Sequence, residues 1–274
     1  DAGLRAAVVN WWATWPATTT GANPPIVISD RGTLRLERGG DLDGEIAPAG
    51  IYERLRGEWT AIKQEADTAG SRLQVRNDSD ASAALRRAAQ VDAVHLAIAA
   101  RLDPSRLDLL AIYLPGLDIA QHALLGSGGP VAPSALTARL DALHDYYRFL
   151  DTQLARLVAG REQDLVFLIA QPGRIATITR GLAAVTGPHA ASGIGLDGHA
   201  TSLAPTILHA LGIPVSRELA GRPILEMFDA AFTARFPVRA VETYGRRAMP
   251  SALREGQPLD REMIERLRSL GYVR

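Results

Sequence analysis

The amino-acid sequence predicts an α/β fold in which a mostly parallel sheet is sandwiched by helices. Short apolar runs rich in valine, isoleucine and leucine alternate with stretches of helical periodicity. This alternation is typical of parallel strands that are joined by helices. With 274 residues, of which 47% are hydrophobic, the chain is long enough to bury a large core. No long low-complexity linker interrupts it, so we predict one main domain.

Five apolar segments have the length and composition of strands. They are residues 7–10, 26–29, 107–114, 165–170 and 181–185. Because these segments alternate with helices, we expect the last four to lie in one sheet. A stretch rich in glycine, proline and aspartate, residues 39–50, is predicted to be an exposed loop or a small insertion.

Five further segments are predicted to be helices. They are residues 49–69, 80–101, 134–159, 203–211 and 261–270. In 134–159, leucines and one tyrosine recur at alternating steps of four and three residues, which forms a single apolar stripe. Asp80 is a candidate N-cap for the second helix. The chain after Phe228 is charged, so we predict a main domain over 1–228 and a helical tail over 229–274.

The composition argues against several classes of function. Lysine plus arginine equals aspartate plus glutamate at 30 each, so charge gives no argument for binding nucleic acid or an anionic membrane. The chain has no cysteine, which excludes disulfides and thiolate metal sites. No apolar run reaches the roughly 18 residues that a membrane span needs. The chain begins at Asp1 without a methionine, so we expect that an N-terminal part is missing. Neither compartment nor oligomeric state is predicted.

Asp118 and His122 are the best candidates for chemistry. They follow the predicted strand 107–114, and open α/β sheets bind ligands at the carboxyl ends of their strands. Their spacing places a carboxylate and an imidazole on one face of a helix. One divalent cation can bridge such a pair, and Zn²⁺ accepts this mixture of nitrogen and oxygen ligands. On spacing alone, the alternative is a helix-capping aspartate beside an unrelated surface histidine.

The residues around this pair resemble a known family. The segment 109–122, LLAIYLPGLDIAQH, is similar to a signature of the type I phosphodiesterase/nucleotide pyrophosphatase family of the alkaline phosphatase superfamily. Further segments resemble the same family in the family's order, and together they cover residues 1–228. These segments are 8–17, 27–31, 145–151, 203–215 and 221–223.

The resemblance implies an alkaline phosphatase-like fold and a hydrolase in which a threonine or serine attacks phosphorus between two metal ions. Asp118 and His122 match two ligands of one metal. The nucleophile and another aspartate ligand would precede residue 1, so the catalytic centre is incomplete in this chain. The adjacent Asp-His pair of the other metal is replaced by Gln171 and Pro172.

The third ligand of the first metal has no counterpart at its usual place, because residues 174–180 contain no histidine. His199 is the candidate for this ligand if its loop folds back, and His189 is the alternative. Each has a plainer interpretation as a loop histidine without a metal. The resemblance therefore implies at most one zinc site, formed by Asp118, His122 and His199.

Two functions follow from the resemblance. The first is a metal-dependent phosphodiesterase or phosphatase domain whose partner, if it is active, is a small phosphate ester. The alternative is a pseudoenzyme that binds or scaffolds without catalysis. Three tryptophans, Trp11, Trp12 and Trp15, are candidates for an aromatic ligand surface, although a role in the core or in a domain contact is the plainer interpretation.

Overall fold

A computed structural model of the protein describes residues 2–17, 23–126, 132–172, 180–193 and 195–245, together with Arg261, Ile264, Glu265 and Arg268. The chain forms two compact units, one built on Gly3–Ala159 and the other on Gly160–Met249. Most of the predicted tail helix, 261–270, lies outside the described residues, and the predicted domain boundary after Phe228 stays a prediction. No helix in the described part of the chain is long and apolar enough to cross a membrane.

A four-stranded sheet forms the centre of the first unit. Its strands are β1 (Ala6–Trp11), β2 (Ile26–Ser29), β3 (Ile46–Ala47) and β4 (Leu109–Ile112). They lie in the order β3-β2-β1-β4, with β1 parallel to both β2 and β4, and with β3 antiparallel to β2. The prediction of an α/β fold with a mostly parallel sheet flanked by helices is therefore confirmed for this unit.

Six α-helices accompany this sheet among the described residues. They are α1 (Gly32–Arg38), α2 (Ala49–Gly57), α3 (Trp59–Gly70), α4 (Ser79–Ala100), α5 (Gly116–Leu125) and α6 (Pro133–Val158). The prediction of a single helix over 49–69 is wrong in one respect, because a turn at Glu58 divides this segment into α2 and α3. The N-cap of α4 is Asp78 rather than Asp80, since the Asp78 carboxylate accepts a hydrogen bond from the Ala81 amide at 2.9 Å.

Helix α4 lies between two apolar clusters and contributes to both. Leu85 at its N-terminal half packs with Leu124 of α5 and Tyr146 of α6. Ile98 at its C-terminal end packs with the sheet and with the helices that follow β2. The composition of α4, rich in alanine, allows these neighbours to approach its backbone closely.

Helix α6 is present where its periodicity predicts it, but only part of the leucine stripe is buried. Leu143 lies in the core, together with Tyr146 and Phe149. Leu136 and Leu140 of the stripe are 42% and 49% exposed. The sequence period fixes which residues share a helix face, whereas the positions of α4 and α5 fix which part of that face is covered.

The second unit contains four strands and two α-helices among its described residues. They are β5 (Val166–Ala170), β6 (Leu182–Thr186), β7 (Val215–Ser216), β8 (Ala240–Val241), α7 (Leu203–Ala210) and α8 (Ala230–Arg235). Strands β5 and β6 pair antiparallel with each other, and β7 pairs parallel with β8.

The prediction that 165–170 and 181–185 share a sheet with 107–114 is wrong. Strands β5 and β6 form a two-stranded sheet of their own, separate from the four-stranded sheet that contains β4. The connection 171–181 is shorter than the crossover of about a dozen or more residues that parallel pairing requires. Antiparallel pairing with the next strand along the chain is what such a connection allows.

Candidate functional site

The carboxyl ends of β1, β2 and β4 lie at the same edge of the four-stranded sheet, because these strands are parallel. Each strand is followed there by polar or aromatic side chains. Such an edge is the usual ligand site of an open α/β sheet. The candidate site is therefore built from the residues that follow these strands and from the helices that support them.

Asn10 connects the ends of β1 and β4. Its backbone is in the left-handed region with φ 57°, a conformation that asparagine tolerates better than most residues. The Asn10 side-chain amide donates a hydrogen bond to the Tyr113 carbonyl at 3.1 Å. The same nitrogen lies 3.5 Å from Nδ1 of His95, which is buried in α4. Helix α4 thus contacts the end of β1 directly.

Aromatic side chains cover part of this edge. Trp11 and Trp12 are 44% and 47% exposed, and both rings contact Tyr113 edge to face at centroid distances of 6.4 and 6.2 Å. Trp15 has different surroundings, since its indole N–H donates to the Asp43 carbonyl at 2.9 Å and the Arg31 guanidinium stacks on its ring. Trp11 and Trp12 therefore form an exposed aromatic surface that rests on the half-buried Tyr113, whereas Trp15 has a packing role.

Asp30 follows β2 at the same edge. Burial raises the pKa of its carboxyl group, while backbone N–H groups and the Arg31 guanidinium oppose this rise. Asp30 is not among the site residues that the sequence predicted. The available signal was its position, since it is an acidic residue directly after a buried strand.

Helix α5 begins immediately after β4, at a turn through Pro115 and Gly116. The Gly116 N–H donates to Oδ1 of Asp92 at 2.8 Å, and the Tyr146 hydroxyl donates to Oδ2 of Asp92 at 2.9 Å. Asp92 belongs to α4 and is completely buried. One carboxyl group thus joins the first residue of α5 to both α4 and α6.

Burial raises the pKa of Asp92 to about 7, although the hydrogen bonds from Gly116 and Tyr146 favour its ionised form. Burial and the neighbouring Asp92 raise the pKa of the Tyr146 hydroxyl well above its usual value. Asp92 is not among the site residues that the sequence predicted. The signal was an aspartate on the apolar side of an alanine-rich helix, where a charged side chain needs buried partners.

Asp118 and His122 both lie on α5, in its first and last turns. Asp118 is half-buried and His122 is exposed. The His122 ring lies beside Gly126, since a Cβ built on Gly126 would be 2.7 Å from His122 Nδ1. The structure therefore places both residues on the helix that leaves β4, as expected, while their sharing of a cation stays a prediction.

The other predicted site residues belong to the second unit. His199 is exposed, and its carbonyl accepts a hydrogen bond from the Ser202 amide at 2.9 Å. Gln171 and Pro172 are exposed directly after β5, and the residues that follow them, 173–179, lie outside the described residues. The assignment of His199 as a ligand, and of Gln171 and Pro172 as degenerate ligand positions, stays a prediction.

His189, the alternative ligand, has a local partner. Its Nδ1 lies 3.1 Å from Oδ2 of Asp229, and its ring contacts Phe232 at a centroid distance of 5.5 Å. Asp229 caps α8, and its pKa is lowered first by the Phe232 N–H and then by His189. His189 is thus part of the packing around α8. Among the residues that the structure describes, no three histidine, cysteine, aspartate or glutamate side chains are grouped closely enough to hold a metal ion.

Comparisons with known proteins give no relative. No protein-family model, curated protein or solved structure matches the chain significantly.

Proposed function

We propose that this chain is part of a metal-dependent phosphodiesterase or phosphatase domain, similar to the type I phosphodiesterase/nucleotide pyrophosphatase family, with an incomplete catalytic centre. In this proposal the chain binds one Zn²⁺ through Asp118 and His122 and does not hydrolyse phosphate esters by itself. The observation that carries the proposal is the position of α5, which starts directly at the carboxyl end of a parallel strand.

The chemistry of the two side chains supports a cation rather than an anion as ligand. An aspartate carboxylate and a histidine imidazole are both common zinc ligands. Asp118 and His122 are four residues apart in α5, so both project from one helix face. Known zinc sites use at least three protein ligands. We therefore expect the binding of Zn²⁺ by Asp118 and His122 to be weak.

The absence of hydrolysis is expected from the same chemistry. A serine or threonine hydroxyl becomes a nucleophile near neutral pH only if a base or a metal activates it. The position of the other metal's ligand pair is occupied by Gln171 and Pro172, neither of which carries a charge. Loss of one charge-stabilising donor typically costs a factor of about 10²–10³ in rate. Loss of a nucleophile and a metal together leaves no turnover above background.

A second candidate function is ligand binding without catalysis. The exposed rings of Trp11 and Trp12, which rest on Tyr113, favour it, because large exposed apolar rings at a strand end are suited to contact with a ligand or partner. In this second function, a phosphate ester or another molecule binds at the sheet edge and remains unchanged.

Calorimetric titration of the full chain with Zn²⁺ tests the proposal. We expect one bound ion in the wild type and loss of binding in Asp118→Ala and in His122→Ala. His144→Ala is the matched control, since His144 is also an exposed helix histidine but lies on α6. Unchanged binding in both site variants would contradict the metal site.

Activity is measured in parallel with a nitrophenyl phosphodiester and a nitrophenyl phosphomonoester, each with added Zn²⁺ or Mn²⁺. We expect no turnover. Metal-dependent turnover that is lost in Asp118→Ala or His122→Ala would contradict the incomplete catalytic centre, and would mean that the chain contains an activated hydroxyl or water.

A further inference from the structure

The carboxyl group of Asp92 is the contact point of three helices. It is completely buried within α4, accepts the Gly116 N–H of α5 at 2.8 Å and accepts the Tyr146 hydroxyl of α6 at 2.9 Å. Burying an ionisable group carries a large cost unless partners satisfy it. A leucine at this position would fill the same core without that cost. The carboxyl group is therefore explained by what it holds in place rather than by packing.

The first residue of α5, Gly116, has no room for a side chain. A Cβ built on Gly116 would lie 2.1 Å from the Tyr146 hydroxyl, 2.4 Å from the Ala88 carbonyl and 2.5 Å from Oδ2 of Asp92. Glycine is thus the residue that allows α5 to begin against the backbone of α4. The hydrogen bond from Gly116 to Asp92 then fixes where, and in which direction, the helix starts.

The start of α5 determines the positions of the candidate ligands. Asp118 lies two residues and His122 six residues beyond Gly116 in the same helix. Six residues of α-helix span about 9 Å, so a tilt of about 10° at Gly116 would move His122 by about 1.5 Å. Displacements of about 1 Å are enough to weaken a site that depends on geometry.

Helix α4 also contacts the neighbouring strand end. His95, one turn after Asp92, lies 3.5 Å from the Asn10 amide, which donates to the Tyr113 carbonyl at 3.1 Å. Tyr113 comes shortly before the turn that opens α5. The same helix therefore contacts the end of β1 through His95 and the start of α5 through Asp92.

We propose that Asp92 is a positioning residue for the metal pair, because it fixes Gly116 at the start of α5 and thereby sets the directions of Asp118 and His122. This inference rests on the proposed function, in which those two residues bind a metal ion. Asp92 itself does not contact the ion. Its contribution is the orientation of the helix that carries the ligands.

The test uses Co²⁺ as the probe, because its visible absorption reports ligand geometry, and compares three variants of the full chain. Asp92→Asn keeps an oxygen that accepts the Gly116 N–H. The double variant Asp92→Leu with Tyr146→Phe replaces the buried polar pair by apolar groups of similar size, which preserves packing but leaves Gly116 without its acceptor. Ser82→Ala is the control, since it removes the hydrogen bonds that the Ser82 hydroxyl of α4 forms with Val75 and with the Asp78 carbonyl, and leaves Asp92 in place.

We expect the double variant to bind Co²⁺ at least tenfold more weakly than the wild type and with an altered absorption spectrum. Asp92→Asn and Ser82→Ala should stay within threefold of the wild type. Binding by the folded double variant that equals wild-type binding would overturn the inference, and so would a loss of binding in Ser82→Ala as large as that in the double variant.

A second measurement keeps the inference separate from the proposed function. Amide nitrogen and proton chemical shifts of Gly116–Leu125 are recorded without metal for the same variants. In the double variant, we expect changed chemical shifts for the residues from Gly116 to His122. In Asp92→Asn, we expect wild-type chemical shifts from Asp118 onward. Changes confined to Gly116 and its immediate neighbours would overturn the inference. If the shifts change as expected but wild-type Co²⁺ binding is insensitive to Asp118→Ala, the positioning role stands and the metal site fails.

Discussion

Replacement of Gly116 by alanine changes a single hydrogen to a methyl group at the start of α5. Helix propensity alone predicts a small gain, because alanine is better than glycine inside a helix by up to about 1 kcal/mol. The structure predicts the opposite. The new Cβ would lie 2.1 Å from the Tyr146 hydroxyl and 2.4 Å from the Ala88 carbonyl, both far inside van der Waals contact.

The size of the effect follows from what must move. An added methyl group in a filled core typically costs about 1–3 kcal/mol. If the Tyr146 hydroxyl moves away from Asp92, a buried carboxyl group loses one of its two donors, at a cost of about 1–3 kcal/mol. After subtraction of the propensity gain, we expect the free energy of unfolding to fall by about 3 kcal/mol.

Urea denaturation followed by tryptophan fluorescence measures this change in the first compact unit, which contains α5. All four tryptophans, at positions 11, 12, 15 and 59, belong to the first compact unit. With a denaturant slope of about 2 kcal/mol per molar, the midpoint should fall by about 1–2 M. Gly50→Ala is the matched control, since Gly50 lies in the first turn of α2 with no heavy atom near its Cβ position, and it should be neutral or slightly stabilising. A Gly116→Ala protein as stable as the wild type would refute the three-helix junction.

Two further predictions concern buried charges in the first unit. Because burial raises the pKa of Asp92 to about 7 from an ordinary 3.8, the folded state keeps a proton that the unfolded state releases above about pH 4. The free energy of unfolding should therefore fall by up to about 4 kcal/mol between pH 4 and 7, and this slope should be absent in Asp92→Asn; equal slopes in both proteins would contradict it. Glu45 is fully buried, and its carboxylate accepts hydrogen bonds from the Arg35 guanidinium at 2.6 Å and from the Asp43 amide at 2.6 Å. Glu45→Ala should cost about 3–5 kcal/mol because it leaves the half-buried Arg35 charge unpaired, and the apolar pair Arg35→Met with Glu45→Leu should cost less in the same urea assay.

Much of the secondary structure could be predicted from local sequence. The helix over 134–159 and the strand over 26–29 were predicted close to their observed bounds, because side-chain periodicity and β-branched composition act over a few residues. The position of Asp118 and His122 on a helix after a strand was predictable for the same reason. The division at Glu58 was missed, since the apolar spacing continues through it.

The supports of the candidate site depend on residues far apart in the chain. Asp92 meets Gly116 and Tyr146 across separations of 24 and 54 residues, and no local pattern encodes such a contact. Asn10 reaches Tyr113 across 103 residues. The pairing of β5 with β6 was also missed, because alternation of elements predicts that strands exist but does not choose their partners.

The sequence by itself determined the approximate positions of β1, β2, β4, α4 and α6 in the first unit. It also determined that an aspartate and a histidine lie four residues apart on α5. Its hydrophobic period is a property of neighbouring residues, so it survives without any knowledge of the fold. Only the tertiary structure decided which faces are covered, which strands pair, and that a buried carboxyl group on α4 holds the start of α5. Those outcomes depend on close packing and on buried hydrogen bonds between distant segments, which exist only once the chain has folded.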